Sequence, residues 1–151
     1  MKHINQYLLG ATFLLALIAM RPQWNSYSGQ TSLDEKKTHR IVFHVTTPDT
    51  AAYRALSRQI VHVLEHWPSA QIEVVAHNKG IGMLEKKKSN VADMITALTA
   101  QGVRFVACEQ TMKIQKLEKS DILPDAGFVE RGIVHVVERQ EEGWAYIKAG
   151  F

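Results

Sequence analysis

Apolar positions along the chain change their spacing several times, and each change marks an element. Ile41-Val42-Phe43-His44-Val45 is a β-branched, apolar run and reads as a first strand. Thr46-Thr47-Pro48-Asp49-Thr50 then turns the chain. Asp49 is placed to cap a helix, because its carboxylate accepts a hydrogen bond from an orphan backbone N–H. Tyr53, Leu56, Ile60, Val63 and Trp67 follow at three- and four-residue spacing, one apolar stripe of a helix that Pro68 ends. Ile72-Glu73-Val74-Val75-Ala76 predicts a second strand, and His77 to Gly82 a loop, followed by a short helical turn around Met83 to Lys86. Ser89 or Asn90 is expected to cap the next helix, with Asp93 in its first turn. Val91, Met94, Ile95 and Leu98 would face the core, and Gly102 would stop the helix. Val103 to Cys108 predicts a third strand, and Thr111 to Leu117 a helix.

Towards the end the pattern is ambiguous. Ala126 to Val129 reads as a short strand. Ile133 to Val137 has strand propensity, yet Ile133, Val136, Val137 and Gln140 also form a helical stripe, so periodicity leaves Gly132 to Glu142 open. Gly143 ends that element, and Trp144 to Lys148 reads as the last strand. Strands alternating with helices predict an α/β domain with a mostly parallel sheet covered on both faces. Right-handed crossovers would gather the strand carboxyl ends on one edge.

The amino-terminal segment is of another kind. Lys2 and His3 precede a run from Tyr7 to Met20 that carries no charge. As a helix this run is about 21 Å long, short of the roughly 30 Å hydrocarbon core of a bilayer. Residues 1–20 therefore read as a secretory signal peptide, with an uncleaved membrane anchor as the alternative, because Leu17 is bulky for a cleavage site after Ala19. Either reading predicts an exported, periplasmic domain that meets the membrane only through residues 1–20. Arg21 to His39 is polar and poor in residues to bury, and reads as a flexible linker. The domain is expected over residues 40–151.

Length and charge narrow the function classes. A chain of 151 residues suggests one folded domain. The formal net charge of +3 is mild. Lys86-Lys87-Lys88 reads as a solvated helix end, and without a larger basic face and interleaved aromatics nucleic-acid binding is not expected.

Candidate chemistry gathers at the predicted strand ends. Cys108 is the only cysteine, so an internal disulfide is impossible. It is a small core residue, an intermolecular cross-link or a reactive group. Open α/β sheets place their ligands at the carboxyl ends of their strands. The helix after Cys108 points its amino end at the sulfur and favours a thiolate; Glu109 opposes this and Lys113 assists. A buried, inert cysteine is the commoner fate of a strand thiol. Thr46, Thr47, His77, Asn78 and Glu109 occupy the neighbouring strand ends, about 4.8 Å from strand to strand, so these loops can meet. His77 is placed to hold or shuttle a proton, and His44, Thr46, Asn78 and Gln110 are candidates to line a pocket. His62 and His66 stand four residues apart without a third ligand, so no metal site is expected. The Thr46–Thr50 turn lacks glycine and carries Asp49, which argues against a nucleotide or flavin, and no cofactor is expected.

Three blocks carry a resemblance: Val75 to Leu84, Gly102 to Met112, and Gly132-Ile133-Val134 with Gly143 to Ile147. In order and spacing the chain resembles the DsrE/DsrF-like proteins of sulfur relay over nearly all of Arg40 to Lys148. The resemblance implies a three-layer α/β/α fold with a five-stranded parallel sheet, a helix at Gly132 to Glu142, and a homo-oligomer, trimer or hexamer. In relay members the cysteine at the position of Cys108 carries persulfide sulfur, and other members have no assigned chemistry. Many relatives have Asn where this chain has Gln110, and the better-studied relay members act in the cytoplasm. The resemblance thus implies a sulfurtransferase-like carrier with Cys108 as persulfide site and unidentified donor and acceptor proteins, and the strand-end positions make His77 and Glu109 the candidate proton handlers. The alternative is an oligomeric small-molecule-binding or scaffold module of the envelope in which Cys108 is inert.

Overall fold

The computed structural model describes residues 38–150. The export segment expected over residues 1–20 and nearly all of the linker expected over residues 21–39 lie outside the described residues. Five strands, β1 (Arg40–Val45), β2 (Gln71–Ala76), β3 (Arg104–Cys108), β4 (Ala126–Val129) and β5 (Ala145–Ala149), form one sheet in the order β4-β3-β2-β1-β5. Every neighbouring pair is parallel. The helices are α1 (Thr50–His66), α2 (Ala92–Thr99), α3 (Glu109–Gln115) and α4 (Gly132–Glu141). None in the described residues is long and apolar enough to cross a membrane.

Strand order dictates where each helix lies. From β1 to β4 the chain steps in one direction across the sheet, then returns past β1 to place β5. With right-handed crossovers, the forward steps put their helices on one face and the return step puts α4 on the other. The forward face holds the main core, where Tyr53, Leu56 and Ile60 of α1, Ile95 and Leu98 of α2 and Met112 of α3 pack on Phe43, Val74 and Phe105. Each large aliphatic or aromatic side chain buried there contributes about 1.5–3 kcal/mol. The return face is thin: Val42, Val75 and Val106 of the sheet meet Val136 of α4, with Val129 and Trp144 at the margin.

A buried carboxylate fastens α4 to this thin face. Glu73 on β2 has no solvent exposure. Arg139 Nε donates to its Oε2 at 2.6 Å, and His135 Nε2 lies 2.9 Å from its Oε1. Arg104 stands 3.8 Å away. The charge that interrupts the apolar run of β2 is thus matched by a basic side chain on the helix above it.

Most of the predicted elements are present, and the differences have local causes. Asp49 caps α1 by accepting from Ala51 N–H at 2.8 Å. Gly132 onwards is helix, because its stripe buries Val136 on the sheet and this outweighs β-branched propensity. The helical turn expected at Met83 to Lys86 lies earlier, as a 3₁₀ turn over Asn78–Met83. Glu85 instead makes an isolated antiparallel bridge with Ile122, flanked by Lys86 N–H donating to Asp121 O and Leu123 N–H donating to Leu84 O, each at 2.8 Å. Lys86, Lys87 and Lys88 are solvated as expected, but on a turn rather than a helix end. Val91, not Ser89 or Asn90, occupies the cap position of α2, with Ser89 Oγ accepting from Val91 N–H at 3.4 Å. Helix α3 starts at Glu109, two residues before the expected Thr111, so that it follows β3 without a loop.

Candidate functional site

Cys108 is at once the last residue of β3 and the N-cap of α3. Its backbone is extended (φ −75°, ψ 112°), which turns the thiol back over the first turn of the helix. The sulfur then does what a serine or aspartate oxygen usually does at this position: it accepts from the N–H of Thr111, at 3.4 Å. A second donor arrives from far along the chain. The N–H of Gly132, first residue of α4, lies 3.1 Å from the same Sγ. Helix α4 has no side-chain cap of its own, since Arg131 at its N-cap makes no such bond. The sulfur of Cys108 therefore serves the amino ends of two helices, each a region of positive potential.

Gly132 is what permits this approach. A methyl group there would come within 3.1 Å of Cys108 Cβ, 3.3 Å of His77 Cβ and 3.4 Å of Val75 Cγ1. The Cys108 residue is 1% exposed, yet it forms part of the wall of a cleft of about 300 Å³ lined by His77, Gln110, Arg131, Gly132 and Ile133. The cleft is the thiol's route to solvent.

His77 follows β2 and lies beside Cys108 in this cleft. Its Nδ1 lies 3.3 Å from Nε2 of His44 on β1, with the two rings nearly parallel at 16°. Nδ1 of His44 lies 3.3 Å from the hydroxyl of Tyr146 on β5. Burial, with the positive ends of His77 and Lys148 nearby, pushes the His44 pKa down to about 4. Burial also holds His77 below the ordinary histidine range. Burial thus favours the neutral form of both rings.

The remaining expected residues separate. Glu109 is 2.8 Å from Lys119, whose hydrogen bond and charge hold its carboxyl below the usual range, and it is not among the residues lining the thiol cleft. Gln110 lines that cleft, and its N–H donates to Glu130 O at 3.0 Å. Asn78 adopts a left-handed backbone (φ 52°), donates its N–H to Thr111 Oγ1 at 3.1 Å, and accepts from Gln115 Nε2 at 3.0 Å. It thereby ties the His77 loop to α3, and it lines a different cleft of about 610 Å³ with Thr50, Tyr53, Lys79 and Lys88. Thr46 lines neither cleft. Gly80 lets this loop pass β1, since a methyl group there would lie 2.1 Å from Val45 O. No group of three or more His, Cys, Asp or Glu placed to hold a metal ion occurs among the described residues.

Arg131, Gly132, Ile133 and Tyr146 were not singled out by sequence as site residues. A glycine opening a helical stripe was the one visible signal for Gly132, because a helix start needs no glycine unless something packs against it.

The model of the DsrE/DsrF-like family matches residues 39–149. The chain belongs to the DsrE/DsrF-like family. Among solved structures it is similar to MTH1491 of Methanobacterium thermoautotrophicum, a protein of unknown function, at 35% identity and a TM-score of 0.69, covering 73% of this chain and 98% of that one. It also shares its fold with ychN of E. coli, at 11% identity and a TM-score of 0.61, covering 74% and 99% of the two chains. BT1422 of Bacteroides thetaiotaomicron, of unknown function, matches at 14% identity and a TM-score of 0.61, covering 72% and 93%. A search of curated proteins gave no match. Membership of the family suggests sulfur relay at the level of the family, and members of the family are generally oligomeric.

Proposed function

We propose that this DsrE/DsrF-like protein is a sulfur carrier in which Cys108 holds sulfane sulfur as a persulfide. The observation that carries the reading is the pair of N–H groups, from Thr111 and Gly132, that converge on one sulfur at the wall of an open cleft. Such donors stabilise negative charge on Sγ, where it sits when the sulfur attacks a donor and when it leaves an acceptor. The Cys108 thiolate attacks the outer sulfur of a donor persulfide R–S–SH. A bond from Cys108 Sγ to that sulfur forms, the donor's S–S bond breaks, and the donor departs as R–S⁻. Attack by an acceptor thiolate on the outer sulfur of Cys108–S–SH then regenerates the Cys108 thiolate. His77 receives the thiol proton on activation and is placed to return one to the departing thiolate. Glu109, engaged by Lys119, sets the charge at the start of α3.

The same reading places the domain outside the cytoplasm, delivered by residues 1–20, and assembled with its own copies as a trimer or hexamer. The thin return face supports self-association: Ile133, Val134 and Val137 of α4 are each about half exposed. Burying such side chains is favourable at about 25 cal/mol per Å² of apolar surface.

Intact mass spectrometry tests the relay. After incubation with a persulfide donor the protein gains the mass of one sulfur atom, a thiol reductant removes it, and Cys108→Ser abolishes the gain. Absence of the gain, together with alkylation of native Cys108 by a neutral reagent no faster than in unfolded protein, would overturn the reading.

A further inference from the structure

The chain of contacts Tyr146–His44–His77 runs from the edge strand β5 across β1 to the loop after β2, and so links Tyr146 to the cleft. Tyr146 is 40% exposed on the edge strand β5, His44 is 5% exposed on β1, and His77 lines the cleft beside Cys108. The register places Tyr146 opposite Val42 and Lys148 opposite His44, so all of these lie on the face that α4 covers. His77 Nδ1 is used by His44, and His77 Nε2 has no hydrogen-bond partner among the described residues. It is the ring nitrogen left to serve the cleft.

We propose that Tyr146, His44 and His77 form a proton wire between Cys108 and solvent. The proposal rests on the reading of Cys108 as a reactive thiol and adds a route for its proton.

The two observed contacts allow two arrangements of hydrogens. In one, Tyr146 O–H donates to His44 Nδ1, His44 Nε2–H donates to His77 Nδ1, and His77 carries its proton on Nε2. In the other, His77 Nδ1–H donates to His44 Nε2 and His44 Nδ1–H donates to the Tyr146 oxygen, which leaves His77 Nε2 as an acceptor for a proton arriving through the cleft that Cys108 also lines. Geometry therefore obliges both rings to hold the same tautomer.

Activation converts the second arrangement into the first. The thiol proton moves to His77 Nε2, the Nδ1 proton of His77 moves to His44 Nε2, the Nδ1 proton of His44 moves to the Tyr146 oxygen, and the original hydroxyl proton leaves to water. One proton enters, one leaves, and no bond other than these changes. Both imidazoles finish neutral. This matters because burial and the nearby Lys148 ammonium oppose an imidazolium at His44, and burial opposes one at His77. A base that had to keep the proton would work against its surroundings; a wire does not.

The test uses the full chain. Nitrogen-15 NMR of the imidazoles should find His44 and His77 in the same tautomer near neutral pH, and different tautomers would overturn the wire. Tyr146→Phe removes the outer end of the wire, so that the Nδ1 proton of His44 has no oxygen to pass to. Alkylation of Cys108 by iodoacetamide is expected to slow about tenfold near neutral pH, with the deficit shrinking as pH rises and hydroxide replaces the wire. No deficit, or one independent of pH, would mean that Tyr146 only packs, and the wire would be rejected. Persulfide uptake separates the two proposals. Sulfur gain with mismatched tautomers removes the wire alone, whereas matched tautomers and the expected alkylation profile without sulfur gain remove the relay alone.

Discussion

The N–H of Gly132 donates to the sulfur of Cys108 at 3.1 Å, joining residues 24 positions apart. Gly132→Ala sets a methyl group against Cys108 and His77, so the start of α4 must move off the sulfur. Overpacking of this kind costs about 1–3 kcal/mol. The expected outcome is a lower denaturation midpoint and slower alkylation of Cys108 by a neutral reagent. A variant equally stable and equally reactive would show that the second donor is not needed.

Stability should fall in mild acid because of His44. Its pKa is about 4 in the fold against an ordinary value of 6.5, so the unfolded chain takes up a proton that the folded one refuses. The contribution is complete above the unfolded value and is lost as pH falls from there through about 4. Its full size is about 3 kcal/mol, from the difference in pKa. Denaturant titrations across this window should show His44→Gln with a flatter pH dependence than the natural protein, and parallel profiles would remove His44 as the cause.

Arg139 is the main partner of a carboxylate with no solvent access. Arg139→Met should destabilise the domain by about 3 kcal/mol, because it leaves Glu73 buried and underpaired. Adding Glu73→Leu should recover much of the loss, since the buried charge is then gone. A double variant no more stable than Arg139→Met in thermal unfolding would contradict this account.

Val137→Glu places a charge among the exposed apolar side chains of α4. Light scattering is expected to show a smaller assembly than for the natural chain, with far-UV circular dichroism unchanged. An unchanged mass would assign self-association to another face.

Legibility in the sequence followed the range of the forces involved. Strand β1, helix α1 with its Asp49 cap, β2, β3 and the final strand were readable because side-chain alternation, capping and turn chemistry act over a few neighbouring residues. The 3₁₀ turn at Asn78–Met83 was misplaced because its position depends on Gly80 meeting Val45 O and on Glu85 pairing with Ile122, neither of which is local. Cys108, His77 and Gln110 were singled out and share one cleft, whereas Asn78 lines another.

From its own residues the chain determined an α/β domain, a single thiol at a strand end, and a helix amino end directly behind it. Only the tertiary structure decided that α4 returns across the opposite face and brings Gly132 to the same sulfur, and that Tyr146 stands beside His44 while Lys119 holds Glu109. The reason is physical: periodicity reports which side of an element is buried, but which elements then meet is set by strand order and crossover hand, and those act only once the whole sheet has assembled.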